Sequence, residues 1–259
     1  MVPHVHDTVR AGMQAAVAEG YAPAAALDRL EPAFTQTAIR VVDQSVLGED
    51  LAVYEQRTDI VTLGADVADY DPEQTIAHEI GGHKVSGGTF VLRDGQTVRI
   101  RRGFVNHGSG EIASGRHYGL DEAVQHHMIL SYAHGEFGVV DPDARTDRDR
   151  SYYEHRKLLA RFVLQSAGII DLKAITRGSF EDSGEAGAVT TDRRTMVAQA
   201  RAAYGPGAYF KLNYLFEAID FEDMSAEELA ERIRSPELNT DGSVKRAGSI
   251  DVDGLSFLD

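Results

Sequence analysis

The sequence predicts an α+β fold, and three observations carry that expectation. Short β-type runs lie between residues 37 and 63, each apolar-rich and bounded by turn residues. A helical stretch over residues 71–86 then gathers two histidines and a glutamate. From residue 120 onward the apolar spacing is mostly helical. The expected order is helices, a small N-terminal sheet, the histidine-bearing helix, and a mainly helical C-terminal part.

Taken along the chain, residues 7–31 read as two helices, with Ala-rich runs at 13–18 and 22–30 broken by Gly20-Tyr21. Strands are expected at 37–42, 51–55 and 59–63. Asp71-Pro72-Glu73 opens the next helix, with Asp71 as N-cap and Pro72 at the first position. Ser86-Gly87-Gly88 stops it. Residues 89–92 and 97–101 form a β-hairpin around Asp94-Gly95, a favoured turn pair. Residues 103–119, rich in Gly, Ser and His, read as a loop, and 141–150 as a charged connection. Helices follow at 120–133 and 152–167, the second amphipathic with Leu158, Leu159, Phe162 and Val163 inward. More are expected at 171–176, 192–204 and 209–219, and Ser225-Ala226-Glu227-Glu228 is a capping box for a last one ending near 233. Residues 1–235 then form one domain, with an α/β part (1–103) and a helical part (104–235). Residues 236–259 are a loosely packed tail.

Composition narrows the function classes. The chain has 259 residues, enough for a sizeable core, and no cysteine. Disulfides and thiolate metal sites are therefore excluded, and any metal must be held by His, Asp or Glu. Acids outnumber bases 41 to 26, a net charge of −15 that repels polyanions, so no nucleic-acid partner is expected. The basic run Thr97-Val98-Arg99-Ile100-Arg101-Arg102 alternates as a solvated strand face does. No apolar run reaches the roughly 18 residues of a membrane span. The N-terminus lacks the pattern of a signal peptide. A soluble, cytoplasmic protein without a membrane partner is expected.

The chemistry concentrates in His78-Glu79-Ile80-Gly81-Gly82-His83. Two imidazoles four residues apart on a helix stand about 40° apart and reach one ion. Here the spacing is five, which a regular helix turns into about 140°. The Gly81-Gly82 pair permits one extra residue to bulge as a π-type turn, which restores a shared face. If the helix stays regular, His78 and His83 are unrelated histidines of a metal-free domain.

A second segment, Tyr118-Gly119-Leu120-Asp121-Glu122-Ala123-Val124-Gln125-His126, supplies a third ligand. Catalytic zinc takes three protein ligands and leaves one position open. Glu122 is the first choice for the carboxylate; Asp121 is the alternative, unless it caps its helix. His126 can hydrogen-bond a ligating side chain and fix its tautomer.

The segment Thr75-Ile76-Ala77-His78-Glu79-Ile80-Gly81-Gly82-His83 resembles the active-site helix of gluzincin metallopeptidases with a histidine, a glutamate, three residues and a second histidine. That variant is shared by dipeptidyl-peptidase III and by the tyrosine carboxypeptidases that act on tubulin, with their bacterial relatives. Gly119 to Val124 resembles the glutamate helix of the same family. The resemblance covers roughly residues 59–165. It implies a zincin-like fold, a zinc ion (Zn2+) held by His78, His83 and Glu122, and Glu79 as general base in hydrolysis of a peptide or protein substrate. His126 departs from the family's pattern, which often has an acid there. Oxyanion donors would come from Tyr118, His117, Tyr153 or His155. The strand at 59–63 would pair with an extended substrate by β-augmentation. The loop 103–115, with His107 and Ser109, would gate the cleft. The competing expectation is an inactive zincin-like module that binds metal or a partner, against which the presence of Glu79 argues.

Overall fold

A computed structural model of the chain describes residues 2–48, 50–55, 58–69, 72–86, 88–93, 96–106, 118–141, 150–181 and 191–209. The helices expected at 209–219 and 225–233 and the tail lie outside them, apart from residue 209. So do the Asp71 cap, His107, Ser109, His117 and most of the 141–150 connection. The described fold is α+β. It divides into two compact units, Met1–Ser86 with Met128–Phe137, and Gly87–His127 with Gly138–Asp259.

The first unit opens with α1 (Val2–Glu19) and α2 (Ala25–Gln36). The second runs past Pro32, beyond the expected end near residue 31. Proline removes one rung of the helix ladder. The apolar stripe Ala26, Leu30, Ala33 and Phe34, all buried, continues across it and holds the last turn in place.

The three expected strands form as β1 (Ala38–Val42), β2 (Ala52–Glu55) and β3 (Ile60–Gly64). Between β1 and β2 lies a single helical turn, α3 (Gln44–Leu47), that the periodicity does not reveal. Its signal is Asp43, whose carboxylate accepts the Ser45 amide at 2.9 Å and the Ser45 hydroxyl at 2.6 Å. The hydroxyl and amide together hold the exposed Asp43 carboxyl below its usual range.

The sheet order is β1-β3-β2, with β1 parallel and β2 antiparallel to β3. This corrects one expectation. β3 is the central strand, so both of its edges are already paired and no substrate strand can add to it. Val61 and Leu63 explain why: a strand carrying the buried apolar residues takes the middle of a small sheet, and the exposed β1 takes an edge. A 3₁₀ turn (Ala65–Asp69) then leads to α4 (Pro72–Ile76), which begins on the expected proline.

The second unit starts with the expected hairpin, β4 (Gly88–Arg93) and β5 (Gln96–Arg102), in a register that pairs Arg93 with Gln96 across Asp94-Gly95. A short β6 (Val105–Asn106) pairs with the end of β5, inside the stretch expected to be loop. Helices α5 (Tyr118–His134), α6 (Arg150–Gln165), α7 (Leu172–Phe180) and α8 (Thr191–Tyr204) follow. Leu158, Leu159, Phe162 and Val163 of α6 are all buried, as their spacing predicts. Among the described residues no helix is long and apolar enough to cross a membrane.

The unit boundary falls within α5, whose last turns belong to the first unit. There the Tyr132 hydroxyl donates to Met13 Sδ at 3.4 Å. Burial pushes the Tyr132 phenol well above its ordinary value of 10.0. Above that pH the unfolded chain releases this proton while the folded chain keeps it. Stability therefore falls with rising alkalinity, by at most about 1.4 kcal/mol per pH unit. Urea midpoints measured from about pH 9 to about pH 11 should fall less steeply for Tyr132→Phe than for the native chain; equal slopes would remove this assignment.

Candidate metal centre

Helix α4 does not continue as an α-helix. From Ala77 to Lys84 the chain is a π-helix, and the Val85 amide donates to the Ile80 carbonyl, five residues back, at 3.2 Å. Closing the ladder over five residues brings side chains five apart nearly over one another. His78 and His83 accordingly face each other, ring centroids 4.5 Å apart and planes at 89°. The bulge expected from the five-residue spacing is present, and it extends through the whole motif rather than through one added residue.

The centre is enclosed. His78 is 5 %, Glu79 6 % and His83 3 % exposed. One donor atom from each of these three residues lies within 4.8 Å of the others. Two nitrogens on one tetrahedral zinc stand about 3.4 Å apart, given bonds near 2.0–2.1 Å. The donor set is imidazole and carboxylate, the only kind open to a chain without cysteine. Buried His and Glu can hold a metal ion here.

The glycine pair works differently from the sequence expectation. Neither Gly81 nor Gly82 has a positive φ, so left-handed freedom is not what the bulge uses. Gly81 is needed for close approach: a Cβ built there would lie 2.6 Å from Val9 Cγ1 of α1. Val9 is buried and branched, so it cannot swing aside. Gly81→Ala should destabilise the fold by about 1–3 kcal/mol, lowering Tm by roughly 2–12 °C. The double change Val9→Ala with Gly81→Ala should recover part of that loss in a thermal melt, and a strictly additive result would count against the contact.

The end of the π-helix is held from both sides. Arg29 of α2 donates from Nε to the Val85 carbonyl at 2.9 Å. The Ser86 amide and hydroxyl both donate to the Gly82 carbonyl, at 3.0 and 2.8 Å. Cations and hydroxyls that cover terminal carbonyls replace the partners a helix end lacks. The segment packs on α1, α2 and β2.

The second segment singled out in the sequence lies in the second unit and forms its own buried group. Glu122 Oε2 is 3.6 Å from His126 Nε2, one helical turn on. His126 in turn meets the His155 ring edge-to-face, centroids 5.0 Å apart. The neighbouring carboxylate, Asp121, is fully buried, and its Oδ1 accepts the Phe104 amide at 2.8 Å. Gly103 is left-handed there, with φ of 51°, and a Cβ on it would run into the same carboxylate. Residues 119–132 of α5 are buried on every side, polar ones included. The side chains of Tyr118 and Tyr153 lie outside the described residues, so His155 is the described member of the four oxyanion candidates.

Sequence reasoning missed Arg29 and Lys84 as supports of this centre. Their partners are 25 to 56 residues away, and no local pattern marks them.

Compared with family models, curated proteins and solved structures, the chain matches none. The functional reading therefore rests on the chemistry of the residues themselves.

Proposed function

We propose that the chain is a zinc-dependent peptidase with a gluzincin-like, zincin-type centre, in which His78, His83 and Glu122 ligate the metal and Glu79 is the general base. The observation that carries this reading is the π-helix from Ala77 to Lys84, which turns a five-residue spacing into a facing histidine pair with a carboxylate beside it. π segments are rare and concentrate at functional sites. A structural role alone gives no reason to bury two imidazoles and Glu79 together.

Glu122 is favoured over Asp121 because Asp121 is committed to the Phe104 amide. Glu122 is buried beside His126, which suits a ligand whose orientation is held by a neighbouring imidazole. Zinc, when bound, supplies Lewis acidity that acidifies water towards a pKa of about 7 and polarises a carbonyl. Glu79 takes a proton from the attacking water on its carboxylate and delivers it to the leaving amine nitrogen as the C–N bond breaks. A hydrogen-bond donor to the developing oxyanion contributes roughly 3–4 kcal/mol, and Tyr118, His117, Tyr153 and His155 are the candidates for it. The substrate in this reading is a peptide or protein, and the enzyme acts in the cytoplasm without nucleic-acid or membrane partners.

A second reading, a metal-binding module without turnover, is favoured by one distance: the Glu79 carboxylate is close enough to both imidazoles to be a ligand itself. Metal analysis and peptide-library turnover of the purified chain test the two together. One equivalent of zinc with cleavage of a peptide bond supports the peptidase. Zinc without cleavage supports the module, and no zinc after reconstitution removes both.

A further inference from the structure

A π register does not hold itself, since α-helical closure is the common outcome and π-helix makes up well under 1% of residues. Something must favour this register over the α one. The last residue of the segment, Lys84, meets that need. Its Nζ donates to Thr37 Oγ1 at 2.5 Å and to Asp59 Oδ1 at 2.6 Å, and it lies 5.9 Å from the centroid of the Tyr54 ring. The Tyr54 hydroxyl donates to the same Asp59 oxygen at 3.0 Å. Thr37 immediately precedes β1, Tyr54 lies on β2 and Asp59 immediately precedes β3. One ammonium thus gathers all three strands of the sheet, all within the first unit. Asp59 is held ready for it at a φ of 59°, a left-handed conformation that aspartate tolerates better than most residues.

The consequence is a coupling between sheet and metal centre. Returning the segment to α closure would rotate everything after the bulge by about 100° and draw Lys84 off the sheet. The Lys84 contacts therefore exist in the π register and not in the α one, and a contact made in only one of two states biases the equilibrium between them. We propose that Lys84 is a positioning residue: by its ion pair with Asp59 it selects the π register and so keeps His83 facing His78. The proposal rests on the metal-centre reading for its effect on zinc, but its effect on register does not need the metal.

The test uses the full chain and the variants Lys84→Met and Lys84→Arg. The Lys84 side chain is 13 % exposed but that of Asp59 is 40 %, so losing the cation leaves a carboxylate that water can solvate, and the fold should survive. A thermal melt checks this. Zinc affinity, read by competition with a chromophoric chelator, should weaken by about tenfold to a hundredfold in Lys84→Met. Lys84→Arg, which keeps a donor for Asp59, should stay within about threefold of the native value. In the metal-free chain, NMR cross-relaxation between the His78 and His83 ring protons should be strong in the native protein and Lys84→Arg and lost in Lys84→Met. A folded Lys84→Met chain that keeps those ring contacts overturns the proposal, as does one with native zinc affinity. If the native chain takes no zinc, the metal reading falls, and the ring contacts alone decide the role of Lys84.

Discussion

Glu79→Gln is expected to bind zinc as tightly as the native chain while cleaving peptides about a hundred- to ten-thousand-fold more slowly. The substitution keeps size and shape but removes the basic oxygen that accepts the proton of the attacking water. A general base contributes a factor of that order, because without it the water must lose its proton to solvent. On the peptidase reading binding should be unaffected, since the two imidazoles and Glu122, the proposed ligands, are all retained. The same variant separates the two readings of the centre. If Glu79 is a ligand, Glu79→Gln loses zinc affinity along with turnover. If it is a base, kcat falls and the zinc dissociation constant stays. Unchanged turnover would remove the catalytic assignment, whatever happens to the metal.

The paired change His78→Ala with His83→Ala should abolish stoichiometric zinc. Structural zinc sites with four ligands bind with about 10–16 kcal/mol, or roughly 3 kcal/mol per ligand. Losing two ligands therefore weakens binding by about 6 kcal/mol, on the order of ten-thousandfold. A second readout is thermal. A metal that binds only the folded state stabilises it by about 4 kcal/mol at a thousandfold excess over Kd. For a chain of this size that raises Tm by roughly 8–16 °C. The native chain should show that rise on adding zinc, and the double variant should not. A rise of equal size in both would mean that the ion sits elsewhere.

Much of this arrangement is legible in the residues. The five-residue spacing with two glycines implies a departure from α closure, because rotation per residue is a local property that any helix must obey. The three short strands, the Asp94-Gly95 hairpin and the inward face of α6 follow from period and turn chemistry, which act between near neighbours. The α3 turn is legible too, but only through its Asp43 cap, since one turn is too short for periodicity to register.

What the residues do not disclose depends on partners distant in the chain. Nothing local to residues 59–63 distinguishes a central strand from an edge strand, because that depends on which other strands come to lie beside it. Gly81 reads as a source of backbone freedom until Val9 is seen packed against it. Asp121 and Glu122 are adjacent carboxylates, and the fold gives the first the Phe104 amide and the second the His126 ring. The periodicity of residues 120–133 predicts a helix but not that its polar residues are buried along with the apolar ones.

By itself, then, the sequence determined the donor chemistry of the centre, imidazole and carboxylate without thiolate, and the need for a distorted helix to use it. The tertiary structure alone decided how that distortion is held. A π turn is a local geometry, but its contacts are not: Lys84 reaches Thr37 and Asp59 at the strand ends, Arg29 of α2 reaches the Val85 carbonyl, and Val9 of α1 packs against Gly81. Interactions over such separations become favourable only once the fold has closed the loops between them.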